Sequence, residues 1–252
     1  MNASLINENR ASLSVRGLTE GELLSVWECG IRLSPAGRAE LILETVAGNV
    51  PEATTLGDRD CALMKIYENT FGSVIELADT CLSCGEVFEY TLDLQVIQNS
   101  SVRVGESSFA VSFDSWEAEC RLPLMVDIGK CLDTGEAGTG LAVRCITSIK
   151  SGGASAPFHS VPEELLAKIE KRILELDPAV EISLELPCPS CAHSQISFFD
   201  ITDLLWKKVT AGAQLVASNV HTLATAYGWT EENILGMSSS RRQLYLSIVG
   251  AV

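Results

Sequence analysis

The run Glu76-Leu-Ala-Asp-Thr-Cys81-Leu-Ser-Cys84-Gly-Glu-Val-Phe-Glu-Tyr-Thr-Leu-Asp93-Leu94 has a counterpart 107 residues later, Ser183-Leu-Glu-Leu-Pro-Cys188-Pro-Ser-Cys191-Ala-His-Ser-Gln-Ile-Ser-Phe-Phe-Asp200-Ile201. Aligned on their first cysteines, the runs also match Asp93 with Asp200 and Leu94 with Ile201. Each reads as a strand, a Cys-x-x-Cys knuckle and a second strand. Such a knuckle turns two sulfurs inward, and a second unit supplies the other pair. The spacing therefore predicts one structural zinc ion on Cys81, Cys84, Cys188 and Cys191. Four thiolates fill a tetrahedral zinc and leave no position for substrate or activated water, so the ion is expected to be a staple.

The 103 residues between Cys84 and Cys188 require an insertion, because common zinc fingers join their halves through about 12 to 20 residues. The other uses of paired cysteines fit less well. Met1 to Arg10 lacks the basic start and apolar core of a secretory signal, which points to a reducing compartment and against disulfides. A thioredoxin-like pair should open a helix, whereas Gly85 to Leu94 alternates as a strand. Pro187-Cys188-x-x-Cys191 matches half of the zinc deaminase signature, but the His-x-Glu half is missing, since His159 is followed two residues on by Val161. His193 reads as an exposed hairpin residue. Cys29, Cys61, Cys120, Cys131 and Cys145 have no matching spacing and read as core or half-buried thiols.

Composition narrows the function classes. With 252 residues and 46% hydrophobic content, the chain can bury a substantial core. Its 33 acidic and 18 basic residues give a formal charge of −15, which repels phosphate backbones and anionic membranes. No apolar run approaches the roughly 18 to 20 residues that span a bilayer. The expectation is a soluble, cytoplasmic protein with neither nucleic acid nor membrane as partner.

Helix signals dominate both ends. Thr19 and Glu22 form a capping box before Leu23, Val26, Trp27 and Ile31. Ser34-Pro35 opens a second helix that Gly48 and Pro51 end. Asp58 is the expected cap of a third, with Leu63, Ile66, Tyr67 and Phe71 inward. Ser101 to Phe113 alternates about Gly105, which predicts a β-hairpin extending the ribbon's sheet. Asp133 to Gly140 and Ser151 to Pro157 are turn-rich and read as loops, the second as a mobile one. Ser160 and Glu163 are expected to box a helix through Leu176, which Pro178 ends. Thr202 to Tyr227 reads as a long helix stopped by Gly228. Thr230 then caps a further turn, and Ser238 to Ser240 precede a last helix with Leu244, Tyr245, Ile248 and Val249 as its apolar face.

The predicted fold class is α+β: a discontinuous four-cysteine zinc ribbon with a small antiparallel sheet, flanked by N-terminal and C-terminal helical regions. Its parts are residues 18–77, helical; 78–97 plus 180–201, the ribbon; 98–159, a hairpin and loop-rich insertion; 160–179, a helix; and 202–250, helical. One compact domain can accommodate them all.

The order Leu205-Trp206, His221-Thr-Leu-Ala-Thr-Ala-Tyr227-Gly228-Trp229-Thr-Glu-Glu-Asn-Ile234-Leu235 and Arg241-Arg242-Gln-Leu-Tyr245, downstream of the second knuckle, resembles the baseplate hub assembly proteins of T-even-like bacteriophages and related contractile injection systems. Trp27-Glu28, the Pro35 to Arg38 segment, Gly57-Asp58-Arg59-Asp60 and Phe71-Gly72 resemble its larger members. The resemblance covers about residues 18 to 97 and 160 to 249. It implies a non-catalytic assembly chaperone or accessory factor whose partners are baseplate, hub or spike proteins. Trp206, His221, Tyr227, Trp229, Arg241 and Arg242 are the candidate partner-binding residues: buried aromatics often dominate association energy, and paired arginines suit an acidic partner. Core packing is the plainer reading of the two tryptophans. His221, beside Val220 and Leu223 with no nucleophile or carboxylate at useful spacing, reads as a structural histidine before a catalytic one. A zinc-ribbon adaptor of another intracellular complex and a metalloenzyme are the competing classes.

Overall fold

The computed structural model describes residues 13–128 and 139–250. Most helices begin where the capping signals predict. Thr19 and Glu22 close a capping box on α1 (Glu20–Gly30), and Ser34 caps α2 (Pro35–Ala47). In α3 (Leu56–Phe71) the cap is Thr55, whose hydroxyl accepts the Asp58 N–H, so the expectation that Asp58 caps this helix is corrected. The Asp58 carboxylate is instead 2.9 Å from the Arg103 guanidinium.

Among the described residues, three antiparallel sheets follow. β1 (Val74–Thr80) and β2 (Val87–Asp93) form the first ribbon and lead into α4 (Leu94–Ser100). β3 (Ser108–Phe113), β4 (Trp116–Arg121), β5 (Ile146–Ser151) and β6 (Ala154–Ser155) form a four-stranded sheet in that order, with α5 (Thr139–Cys145) before β5. After α6 (Glu163–Leu176), β7 (Ile182–Pro187) and β8 (Ser194–Phe199) make the second ribbon. The chain ends in α7 (Ile201–Tyr227), α8 (Glu231–Leu235) and α9 (Ser239–Ile248).

The central segment differs from the sequence expectations at several points. The hairpin turns at Asp114-Ser115, with Phe113 paired to Trp116, and not at Gly105. Arg103 is buried against Asp177 and Asp58, and the Val104 N–H donates to Leu176 O, so this backbone is tied to the end of α6 and forms no strand arm before Gly105. The resulting sheet is separate from the ribbons. Ser151 to Ser155 is a tight hairpin, not a loop: Gly152 and Gly153 sit at φ +58° and +82°, the positive values that a two-residue turn between strands of this twist requires. α6 has no capping box, because Pro162 precedes it and the Ser160 hydroxyl donates to Pro157 O. Cys131 and Asp133 to Gly138 lie outside the described residues.

Two cores result. Helical spacing on α1, α2, α3 and α7 gathers Leu23, Val26, Ile42, Leu43, Leu63, Ile66, Tyr67, Leu205 and Val209 into the first. The N-terminal helices and the first half of the long helix thus share one interior. The second core packs Leu165, Leu166, Ile169 and Ile173 of α6 on Ala118, Cys120, Ile146 and Ile149 of the four-stranded sheet. A small separate cluster of Leu223, Ile234 and Leu246 closes the C-terminal hook. In α9 Arg242 and Leu246 turn inward and Tyr245 packs beside them, while Leu244 and Ile248 face outward, so only part of the expected apolar face is inward.

Candidate metal centre

The two ribbons are built alike down to single hydrogen bonds. Their last strand pairs are Thr80–Val87 and Pro187–Ser194, so each encloses six residues, 81–86 and 188–193, with cysteine first and fourth. In the first, the Cys81 N–H donates to Glu86 O at 2.8 Å and the Gly85 N–H to Cys81 O at 2.9 Å. In the second, the Cys188 N–H donates to His193 O and the Ala192 N–H to Cys188 O, both at 2.9 Å. Gly85 and Ala192 occupy the same left-handed position, at φ +76° and +57°. The equivalence continues past the strands. The Asp93 and Asp200 carboxylates both cap the next helix, and Leu94 and Ile201 behind them are both buried.

The ribbons lie against each other through their inner faces, where Phe88 and Tyr90 meet Leu184 and Leu186. Gln195 of β8 is buried in this seam and reads the opposite backbone. It accepts the Leu82 N–H at 3.0 Å and donates to Thr80 O at 3.2 Å. This glutamine gave no signal in the sequence, since an alternating strand does not say what its inward polar residue meets.

At the tips, Cys81, Cys84, Cys188 and Cys191 bring their sulfurs within 4.8 Å of one another. Cys81 and Cys188 are buried and Cys84 and Cys191 exposed, so the group sits at the end of the seam with one side toward solvent. The Cys81–Cys191 and Cys84–Cys188 sulfur separations are both 3.7 Å, far above the roughly 2.05 Å of a disulfide. The cluster also divides its thiols electrostatically. Backbone N–H groups of Cys84 and Ser83, with the neighbouring thiols, pull Cys81 down to about 6 against the effect of burial. The Glu86 backbone favours ionisation of Cys84, yet the Cys191 and Cys81 side chains and burial push that thiol up to about 12. One thiolate forms readily and opposes the next, which is the pattern a shared cation would reverse. The residues present can hold a metal ion.

The other predicted residues lie elsewhere. Trp206 packs on Gly30, where an added Cβ would come within 2.7 Å of the indole, and the Arg38 guanidinium covers the ring 4.3 Å from its centroid. Tyr227 stacks on Trp229 at 4.4 Å, and both meet Tyr245. Arg242 is buried, donating to Ile234 O, Leu235 O and Met237 O and pairing with Glu20. Arg241, within 5.8 Å of the Tyr245 ring, and His221 are exposed, as is His193. Among the described residues no helix is long and apolar enough to cross a membrane.

No curated protein and no solved structure matches this chain. A family described as T4 bacteriophage base plate protein matches residues 33–206. The match runs through both knuckles and the central sheet, and stops before the His221 to Leu235 block quoted for the resemblance. With more than two-thirds of its 252 residues inside that match, the chain belongs to the T4 bacteriophage base plate protein family.

Proposed function

We propose that the protein is a non-catalytic assembly chaperone or accessory factor for the hub of a contractile-tail or injection-system baseplate, acting in the producing cell's cytoplasm through contacts with hub or spike proteins. Membership of the baseplate family carries this reading, because it implies a baseplate-related structural or assembly role and contacts with other baseplate components. The finer assignment to the hub rests on the residues quoted for the resemblance, among them the exposed His221 and Arg241 as partner contacts.

In the same reading Cys81, Cys84, Cys188 and Cys191 hold one structural zinc. A regular tetrahedron of zinc–sulfur bonds about 2.3 Å long has edges of about 3.8 Å, close to the two 3.7 Å separations between the knuckles. These four residues would hold the ion, which would offset two of the four thiolate charges and cross-link the two ribbons. The chain does the rest: the knuckle backbones aim the sulfurs, and Gln195 and the Phe88–Leu186 seam hold the ribbons in register. Two-stranded ribbons are marginal alone, which is why a cross-link at their tips matters.

Two measurements test the proposal. Elemental analysis of the purified chain should find about one zinc per chain, with C188S near none and melting well below wild type, since structural zinc contributes on the order of 10 kcal/mol to folding. A metal-free chain with an unchanged melt overturns the zinc. Co-expression with the hub and spike proteins of the same baseplate system should yield a complex, and its absence overturns the assembly role.

A further inference from the structure

We infer that the lobe formed by the two ribbons is a docking surface for a basic segment of another protein, one that sets an aromatic or aliphatic anchor between Lys or Arg residues. This rests on the accessory-factor reading above and goes beyond it by naming the surface and the chemistry of its partner.

The charge of this molecule is not spread evenly. Between Lys65 and Arg103, and again between Arg172 and Lys207, the chain contains no Lys or Arg and twelve carboxylates. The two ribbons themselves, residues 74–93 and 182–199, carry six carboxylates, Glu76, Asp79, Glu86, Glu89, Asp93 and Glu185, and no Lys or Arg, and Glu181 and Asp200 flank the second. A surface of that kind draws cationic partners and repels anionic ones.

The lobe is also apolar where it is most exposed. Ile196 and Phe198, two residues apart on the outer face of β8, are each 67% exposed. Phe198 forms part of the wall between two clefts. One, of about 370 Å³, runs between Pro35, Asp60, Val180, Glu181, Phe198 and Asp200 at the root of the second ribbon. The other, of about 210 Å³, lies between the ribbons, where Leu77, Asp79, Tyr90, Phe198, Asp200 and Asp203 line it. The neighbouring cations are engaged already, Arg59 with Asp60 at 2.6 Å and Lys207 with Asp203 at 2.7 Å. Burial raises the Asp60 pKa against the Arg59 charge, and Asp200 and Asp177 add to the rise, so a further cation in this cleft would relieve like-charge repulsion. Exposed aromatic surface between acidic clefts fits a segment that alternates basic and apolar side chains, because such a segment can fill both clefts while its anchor covers Phe198.

The test uses the full-length chain and two fluorescent peptides of equal length and charge, one alternating Lys with Phe and one alternating Lys with Ser. Anisotropy titration should show the Lys–Phe peptide binding at least about ten-fold tighter, a preference that I196S/F198S abolishes. D79N/E181Q should weaken both peptides. These variants change exposed or half-buried side chains, so a circular dichroism spectrum like that of wild type is expected of each. Equal binding of the two peptides, or a preference that survives I196S/F198S, overturns the inference. A wild-type dimer that I196S/F198S dissociates assigns the surface to a second copy and overturns it too. The two readings fail separately: hub or spike proteins captured equally by wild type and I196S/F198S remove the surface but keep the assembly role, whereas no capture by wild type removes that role while the peptide result still decides the surface.

Discussion

Ala192 shows what one side chain can report about a knuckle. It stands where the first unit has Gly85, in a left-handed conformation that costs an L-residue about 1–2 kcal/mol. Ala192→Gly should therefore stabilise the fold by about 1 kcal/mol, less the added freedom of the unfolded chain, and Gly85→Ala should destabilise it by a similar amount. Urea unfolding of the two variants checks both signs; a destabilised A192G would show that the two knuckles are not equivalent. Glu22 makes a pH prediction. The Arg16 guanidinium, with the Thr19 backbone and hydroxyl, lowers its carboxyl from 4.5 to about 2, against the effect of burial. A lowered folded-state pKa contributes stability that is complete above the ordinary value and is lost as pH falls from about 4.5 toward 2. The pair is exposed, so the contribution is below about 1 kcal/mol. E22Q should flatten the fall in unfolding midpoint between pH 5 and pH 3, and an unchanged slope would remove this carboxylate from the acid response.

Elements made mostly of local signals were readable in advance. Thr19 with Glu22, Ser34 with Pro35, Thr230 and Ser238 all cap helices as their spacing predicts, because a cap needs only the next three residues. The two ribbons were readable for a related reason: each knuckle is a six-residue turn whose hydrogen bonds close on itself. What joins the ribbons was not readable. Gln195 depends on Thr80 and Leu82, more than a hundred residues away in sequence, and no periodicity reports such a partner. Gln195→Ala leaves a part-buried N–H and a part-buried carbonyl without this partner and should cost about 1 kcal/mol. If the seam orients the sulfurs, Q195A should also release bound metal faster to a chelator. An unchanged release rate would confine Gln195 to ordinary packing.

Across the whole molecule, a buried charge cluster ties the two cores together. Arg103 reaches Asp177 at the end of α6, and Asp58 and Thr55 at the start of α3. Gly57 makes room for this, since a Cβ there would lie 2.2 Å from an Asp177 oxygen. R103M should destabilise by about 3–5 kcal/mol because it leaves buried carboxylates without a counter-charge, whereas the triple variant D58N/R103M/D177N should recover much of that loss. Thermal melts of the pair decide it: equal losses would mean that packing, and not charge, binds the cores. The C-terminal hook is tied down similarly, with Arg242 and Ser239 both engaging Glu20 at the start of α1. That contact explains why Arg242, expected as a partner contact, faces inward.

The sequence by itself determined most of the helix starts, the two knuckles and their four cysteines, because those features depend on neighbours within a few residues and on a repeat that the chain displays twice. The tertiary structure alone decided that Gln195 joins the ribbons, that the central sheet stands apart from them with its hairpin at Asp114, and that Asp58 and Arg242 are committed to distant partners. Each of those outcomes turns on which buried charges and polar groups meet across the fold, and burying a charge demands a partner that no local pattern can name.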